Sequence, residues 1–152
     1  MLGRTHAACG LLIGLLVYKY FNANLFLFIG VLIIAALLPD LDEPGSKLGR
    51  KVKPLAYVIK FLFGHRTITH NLFFIAAIAF LVWWFFGVYG YALLIGGGSH
   101  LLLDGLTRKG VVLLWPLKIK ISGFVKTGGL LENVFFWLLI VGNGWLVFKM
   151  LV

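Results

Sequence analysis

Two imidazoles, a guanidinium and two hydroxyls are packed into Gly64-His65-Arg66-Thr67-Ile68-Thr69-His70-Asn71, inside an otherwise oily chain. The flanks on both sides are apolar, 55–63 and 72–86. A helix cap, with Thr67 or Thr69 as the N-cap, would explain part of this stretch. The placement of the other ionisable groups makes a binding site the stronger reading. The chain has four histidines and five acidic residues. His6 stands near the N-terminus, and Asp40, Asp42 and Glu43 follow the second apolar run. His100 and Asp104 close the fourth run, and Glu132 opens the fifth. Ionisable groups at membrane depth are costly and tend to be functional.

The residue types suit a divalent metal. Neutral imidazole together with carboxylate favours zinc, manganese or iron. His100 and Asp104 are spaced i,i+4 and share one helix face. Asp40 and Asp42 flank Leu41 in a loop, so both carboxylates can turn inward. On one helix His65 and His70 would diverge by about 140°, which puts His65 in a loop and His70 in the first turn of a helix. The expected ligands are His6, Asp40, His65, His70, His100 and Asp104, with Asp42 and Glu132 as ligands or as groups that orient them. A carboxylate such as Asp42 or Glu132 can serve as general base. Arg66 keeps its proton and has no lone pair for a metal; it suits a phosphate or a developing oxyanion. Plainer roles stay open for several of these residues. Asp40 and Asp42 can be loop acids, and Glu132 can complement a helix dipole. Thr5 can be a simple cap, and Lys126-Thr127-Gly128 a simple turn.

Composition sets the scaffold that must position these groups. Mean hydropathy is +1.01, with 61% hydrophobic and 12% charged residues. That is a membrane composition. The length suits a single domain over 1–152. The single Cys9 excludes a disulfide framework and a thiolate metal site. The net charge of +9 lies between apolar runs, so it reads as membrane topology and contact with anionic lipid rather than nucleic-acid binding. The apolar run after Arg4 lacks a signal-cleavage site and reads as a permanent span.

The expected fold is all-α, an integral membrane bundle of about five transmembrane helices. They cover 5–20, 25–38, 69–86, 91–106 and 130–151. Pro39 ends the second. Residues 51–63 interleave lysines with apolar residues, as in an amphipathic helix lying on anionic lipid. Lys118-Ile119-Lys120-Ile121-Ser122 alternates, so the 108–127 loop can hold a small β-hairpin. With five crossings, Lys19 and Lys149 alone among the fourteen basic residues fall on the second face. The positive-inside rule then makes the face carrying every histidine and acid, and the N-terminus, cytoplasmic.

At these residues the chain resembles the LexA-regulated, membrane-bound metal-dependent hydrolases, the YdjM-like family. The matching pieces are Thr5-His6, Pro39-Asp40-Leu41-Asp42, His65-Arg66-Thr67-Ile68-Thr69-His70, Ser99-His100-x-x-x-Asp104, Trp115-Pro116, and Lys126-Thr127-Gly128 followed by Glu132. They run in family order and span nearly the whole chain. The resemblance implies a helical membrane protein with metal-dependent hydrolase activity. A more distant likeness, through the His-x-x-x-Asp pair, is to zinc-dependent phospholipase C and P1-type nuclease; it points by analogy to phosphoester hydrolysis. The combined expectation is two or three divalent ions, zinc first, at the cytoplasmic face of the cell membrane. They would act on a phospholipid or lipid-linked phosphate. The competing classes are a metal or ion transporter, whose site would lie near the midplane, and a membrane protein with a structural metal. Sequence leaves the oligomeric state open.

Overall fold

The computed structural model describes residues 1–42, 54, 69–115, 117 and 119–152, the side chain of Asp42 apart. Among the described residues there are five α-helices: α1 Gly3–Val17, α2 Leu25–Leu37, α3 Leu72–Phe86, α4 Tyr89–Gly105 and α5 Leu130–Leu151. Short 3-10 turns extend α1 over Tyr18–Tyr20 and α2 over Leu38–Asp42. The hairpin in the 108–127 loop is present: β1 Val111–Val112 pairs antiparallel with β2 Lys120–Ile121. The expected amphipathic helix over 51–63 lies outside the described residues.

Local chemistry sets the boundaries. Asn24 caps α2 by accepting the Leu27 N–H at 3.1 Å. Pro39 has no N–H for the helical ladder, so α2 tightens into a 3-10 turn there. Asn71 caps α3 by accepting from Phe73 N–H at 2.8 Å. This corrects the expectation that Thr67 or Thr69 would cap it and that His70 would lie in its first turn. His70 stands in the turn just before the helix. Gly87, at φ 60°, ends α3 with its N–H on the Trp83 carbonyl at 2.8 Å.

The helices pack in a row: α3 on α4, α4 on α2, α2 on α1, and α1 on α5. Small residues set the spacing. At Gly96 an added Cβ would fall on the Leu32 carbonyl and 2.8 Å from the Ala35 Cβ, so α4 lies backbone-close to α2 as small residues allow in lipid. Phe28, Leu32 and Ala92 fill the α2–α4 seam. Ala8, Cys9, Leu103 and Leu139 fill the seam where α1, α4 and α5 meet.

The outer surface is apolar. Phe26, Phe80, Trp84, Trp137 and Leu138 are all exposed, and α3 buries only Ile75 and Ala79 along its length. A water-soluble protein does not expose apolar area on this scale; a lipid-facing one must. Only α5, among the described residues, is both long and apolar enough to cross a bilayer by itself. Its 22 residues span about 33 Å, against a hydrocarbon core of about 30 Å. Helices α2 and α3 are more apolar but shorter, at 13 and 15 residues.

The Gly96 contact generates a stability prediction. Gly96→Ala forces α2 and α4 apart and costs about 1–3 kcal/mol by overpacking. Gly98→Ala meets nothing within 4 Å and leaves stability near wild type. Thermal melts of both variants in detergent check this; equal melting temperatures would mean the close seam does not hold the bundle.

Candidate metal centre

Four elements each deliver donors to one buried place. His6 comes from the start of α1, Asp40 from the 3-10 turn after α2, and His70 from the turn before α3. His100 and Asp104 come from the last turns of α4. The side chains of His6, His70, His100 and Asp104 are fully buried, and that of Asp40 is 15% exposed.

The break at Pro39 prepares the first ligand. With α2 ending in a 3-10 turn, the Ala36 carbonyl is available and lies 2.8 Å from His100 Nδ1. A carbonyl only accepts, so Nδ1 carries the proton and Nε2 keeps its lone pair. That arrangement orients metal-binding histidines. His100 Nε2 lies 3.3 Å from His70 Nε2, 3.8 Å from Asp40 Oδ1 and 3.8 Å from Asp104 Oδ2. His70 Nε2 is 3.9 Å from Asp40 Oδ1 and 3.7 Å from Asp104 Oδ2. Zinc bonds of about 2.0–2.1 Å in a tetrahedron place ligand atoms about 3.4 Å apart. Asp40, His70 and His100 thus approach the spacing of three corners of such a shell, and Asp104 Oδ2 stands at a similar distance from both rings. On the other side of His70, the Thr69 hydroxyl lies 3.1 Å from Nδ1.

Asp104 faces two ways. Its Oδ2 turns toward His70 and His100, while Oδ1 meets His6 Nε2 at 3.3 Å and the buried Met1 amino group. His6 stacks on His100 with ring centroids 3.8 Å apart and planes 13° apart. Neither ring nitrogen of His6 has a hydrogen-bond partner among the described residues. Such orphaned polar atoms cost about 1–3 kcal/mol each when buried. A cation at the cluster would give Nε2 a partner. His6, His100 and Asp104 form one candidate ligand group, and Asp40, His70 and His100 a second. Burial pushes the Asp40 carboxyl above the usual carboxylate range, and the Asp104 charge adds to the push, while His6 and His70 oppose it. A bound cation works in the opposite direction from burial.

Thus His6, Asp40, His70, His100 and Asp104 come together in two overlapping candidate groups. The Asp42 side chain, and all of His65 and Arg66, lie outside the described residues. Glu132 is fully buried but stands apart from both ligand groups. It accepts the Leu2 N–H at 2.5 Å, the Thr5 hydroxyl at 2.9 Å and the Gly128 N–H at 2.6 Å. Thr5 therefore pins α1 to α5 rather than capping a helix, and it does so one residue before His6. Gly128, at φ 75°, gives the Lys126-Thr127-Gly128 turn a specific use as the third donor.

Sequence reading missed several supports. Thr107 donates its hydroxyl to the Asp104 carbonyl at 2.7 Å and fixes the end of α4 under that carboxylate. Asn71 donates to the Trp115 carbonyl at 2.6 Å and ties the turn of His70 to the hairpin loop. Asn143, well inside α5, donates to the Ala8 carbonyl at 3.0 Å and cross-links α5 to α1. A lone Asn inside an apolar run was the available signal for that last contact. The Ala36 carbonyl carried no side-chain signal at all.

Comparison with known proteins points to a membrane protein. The chain is 33% identical to "Uncharacterized protein YvsG" of Bacillus subtilis (strain 168) over 138 residues, covering 88% of this chain and 86% of that protein. It is 38% identical over 93 residues to "Inner membrane protein YdjM" of Escherichia coli (strain K12) and of Shigella flexneri. That match covers 57% of this chain and 47% of each relative, so it spans about half of their length. No solved structure matches. The model of the YdjM inner membrane protein family matches residues 1–151, and the chain belongs to that family.

Proposed function

We propose that this protein is a membrane-embedded, metal-dependent hydrolase that cleaves a phosphoester, lipid or lipid-linked, at the cytoplasmic face. One observation carries the reading: five donors from four elements converge in a buried cluster inside an apolar bundle. The donors lie at the ends of α1, α2 and α4 and before α3. A transport site would instead lie near the midplane with access from both sides. Five crossings, with the shorter helices in a thinned layer or ending in the interface, keep all these ends on one face.

In this reading Asp40, His70, His100 and the Oδ2 side of Asp104 hold one divalent ion, zinc in preference to manganese or iron. His100 Nε2 has a single lone pair, so the two overlapping ligand groups share one primary position. A second ion would sit on the Oδ1 side of Asp104 with His6, completed by His65 or Asp42. Such ions would supply Lewis acidity and an acidified water. Asp42 would be the general base for that water. Arg66, between His65 and Thr69-His70 in sequence, holds the substrate phosphate as a bidentate partner. Glu132 serves by anchoring the α1 segment that carries His6.

Three experiments test this reading. Metal analysis of the full-length protein in detergent should find at least one zinc, manganese or iron per chain, and His100→Gln and Asp104→Asn should each lower occupancy at least tenfold. A metal-free wild-type protein would end the proposal, and metal without turnover on a phosphodiester panel would leave only a structural ion. For Arg66→Ala and Arg66→Lys, metal content should survive while turnover falls about a hundredfold, as for loss of one transition-state donor. Unchanged turnover would remove Arg66 from the reaction. For orientation, single cysteines at Lys47 and Val88, in a chain with Cys9 replaced, should be labelled from the cytoplasm and from outside respectively; the reverse pattern would place the chemistry outside.

A further inference from the structure

Between Asp104 and Glu132 the chain carries Arg108, Lys109, Lys118, Lys120 and Lys126 and no acidic residue. We propose that this segment, folded around the β1–β2 hairpin, is a docking surface for the headgroups of anionic phospholipids in the bilayer that holds the protein. Arg108, Lys109, Lys120 and Lys126 are exposed. None of the four makes an ion pair among the described residues. Between them stand exposed apolar side chains: Trp115 at 46%, Leu117 at 56%, Ile119 at 61% and Phe124 at 70%. Both residues of β2 are exposed, so the hairpin buries almost nothing of its outer strand against the protein.

This combination matches one environment. Lysine and arginine reach phosphates while their stems, and Trp and Phe rings, sit among acyl chains at the headgroup level. A second copy of the chain is a poor occupant, because two such faces carry the same charge. Nucleic acid would satisfy the charges but would leave the apolar side chains in water.

The surface is rigidly mounted. A two-stranded hairpin alone is marginal. Here Thr107 and Val125 bridge its base, with Arg108 N–H on the Val125 carbonyl and Val125 N–H on the Leu106 carbonyl, both at 3.0 Å. Val111 is buried with Ile75 and Leu101. Leu72 N–H donates to the Leu113 carbonyl at 2.9 Å, and Asn71 holds the Trp115 carbonyl. These bonds attach the surface to the turn of His70, while Thr107 attaches it to Asp104. Bound headgroups would therefore stand beside the donor cluster. The proposal concerns lipid binding alone and holds whether or not the cluster hydrolyses anything.

The test compares retained lipid by native mass spectrometry of the full-length protein, exchanged from detergent with phosphatidylglycerol or phosphatidylcholine. Wild type should keep phosphatidylglycerol in preference. The variant R108Q/K109Q/K120Q/K126Q should lose that preference, by about fivefold for each basic residue that contacts the surface. Lys19→Gln with Lys149→Gln, on the opposite side of the expected topology, should retain it. An unchanged preference in the fourfold variant, or an equal loss in the control pair, would overturn the proposal. A second readout does not depend on the fourfold variant folding. Brominated phosphatidylglycerol should quench a tryptophan signal that disappears in Trp115→Phe. Absence of that component, or a face occupied instead by single-stranded DNA or a second copy, would also overturn it.

Discussion

Ala36 is the point at which this bundle is held together. Its side chain is fully buried. An added Cβ at Gly10 of α1 would lie 3.1 Å from the Ala36 Cβ, and one at Gly96 of α4 would lie 3.1 Å from the Ala36 nitrogen. Its carbonyl takes the Nδ1 proton of His100. Three helices thus meet on one small residue, and the same residue sets the tautomer of the histidine common to both candidate ligand groups. The carbonyl is available only because Pro39, three residues on, cannot continue the ladder. A residue larger than alanine would separate the helices and move the ligand together.

That economy follows from the solvent. Lipid tails are as apolar as the side chains, so burial of apolar area gives little reason for these helices to associate. Close backbone approach and buried polar bonds must do it. The structure uses both, at Gly96 and Ala36 on one seam and at Asn143 and Glu132 on another. The apolar residues are on the outside and the histidines on the inside, the reverse of a soluble core. The fixed ends of α1 and α4 follow from this. Glu132 holds the first turn of α1 through Leu2 and Thr5, and Thr107 holds the last turn of α4.

Much of this was legible in the residues. Hydropathy gave the helices to within about three residues at their ends, because long apolar runs between Asn, Pro and Gly leave few alternatives. The i,i+4 spacing placed His100 and Asp104 on one face, since helix geometry is fixed. The hairpin showed in the alternation around Lys120. The placement of His70 was legible only in part: the spacing from His65 put His65 in a loop and His70 in the first turn of the helix, but Asn71 takes the cap and leaves His70 in the turn before it. The role of Glu132 was not legible. A carboxylate at a helix N-terminus can bind metal, complement a dipole or accept backbone N–H groups, and only the folded position of Leu2 and Gly128 decides among them.

The donor cluster also poses a proton problem. His100 has committed its Nδ1 proton to Ala36, so its Nε2 enters the cluster as a lone pair. His6 stacks on it at 3.8 Å, and two stacked imidazolium rings would repel strongly in a dry interior. A divalent cation would suit these donors. It would balance carboxylate charge and accept Nε2 lone pairs with no proton between the rings. The donor set is thus one that could hold a metal ion, whatever activity is assigned to it.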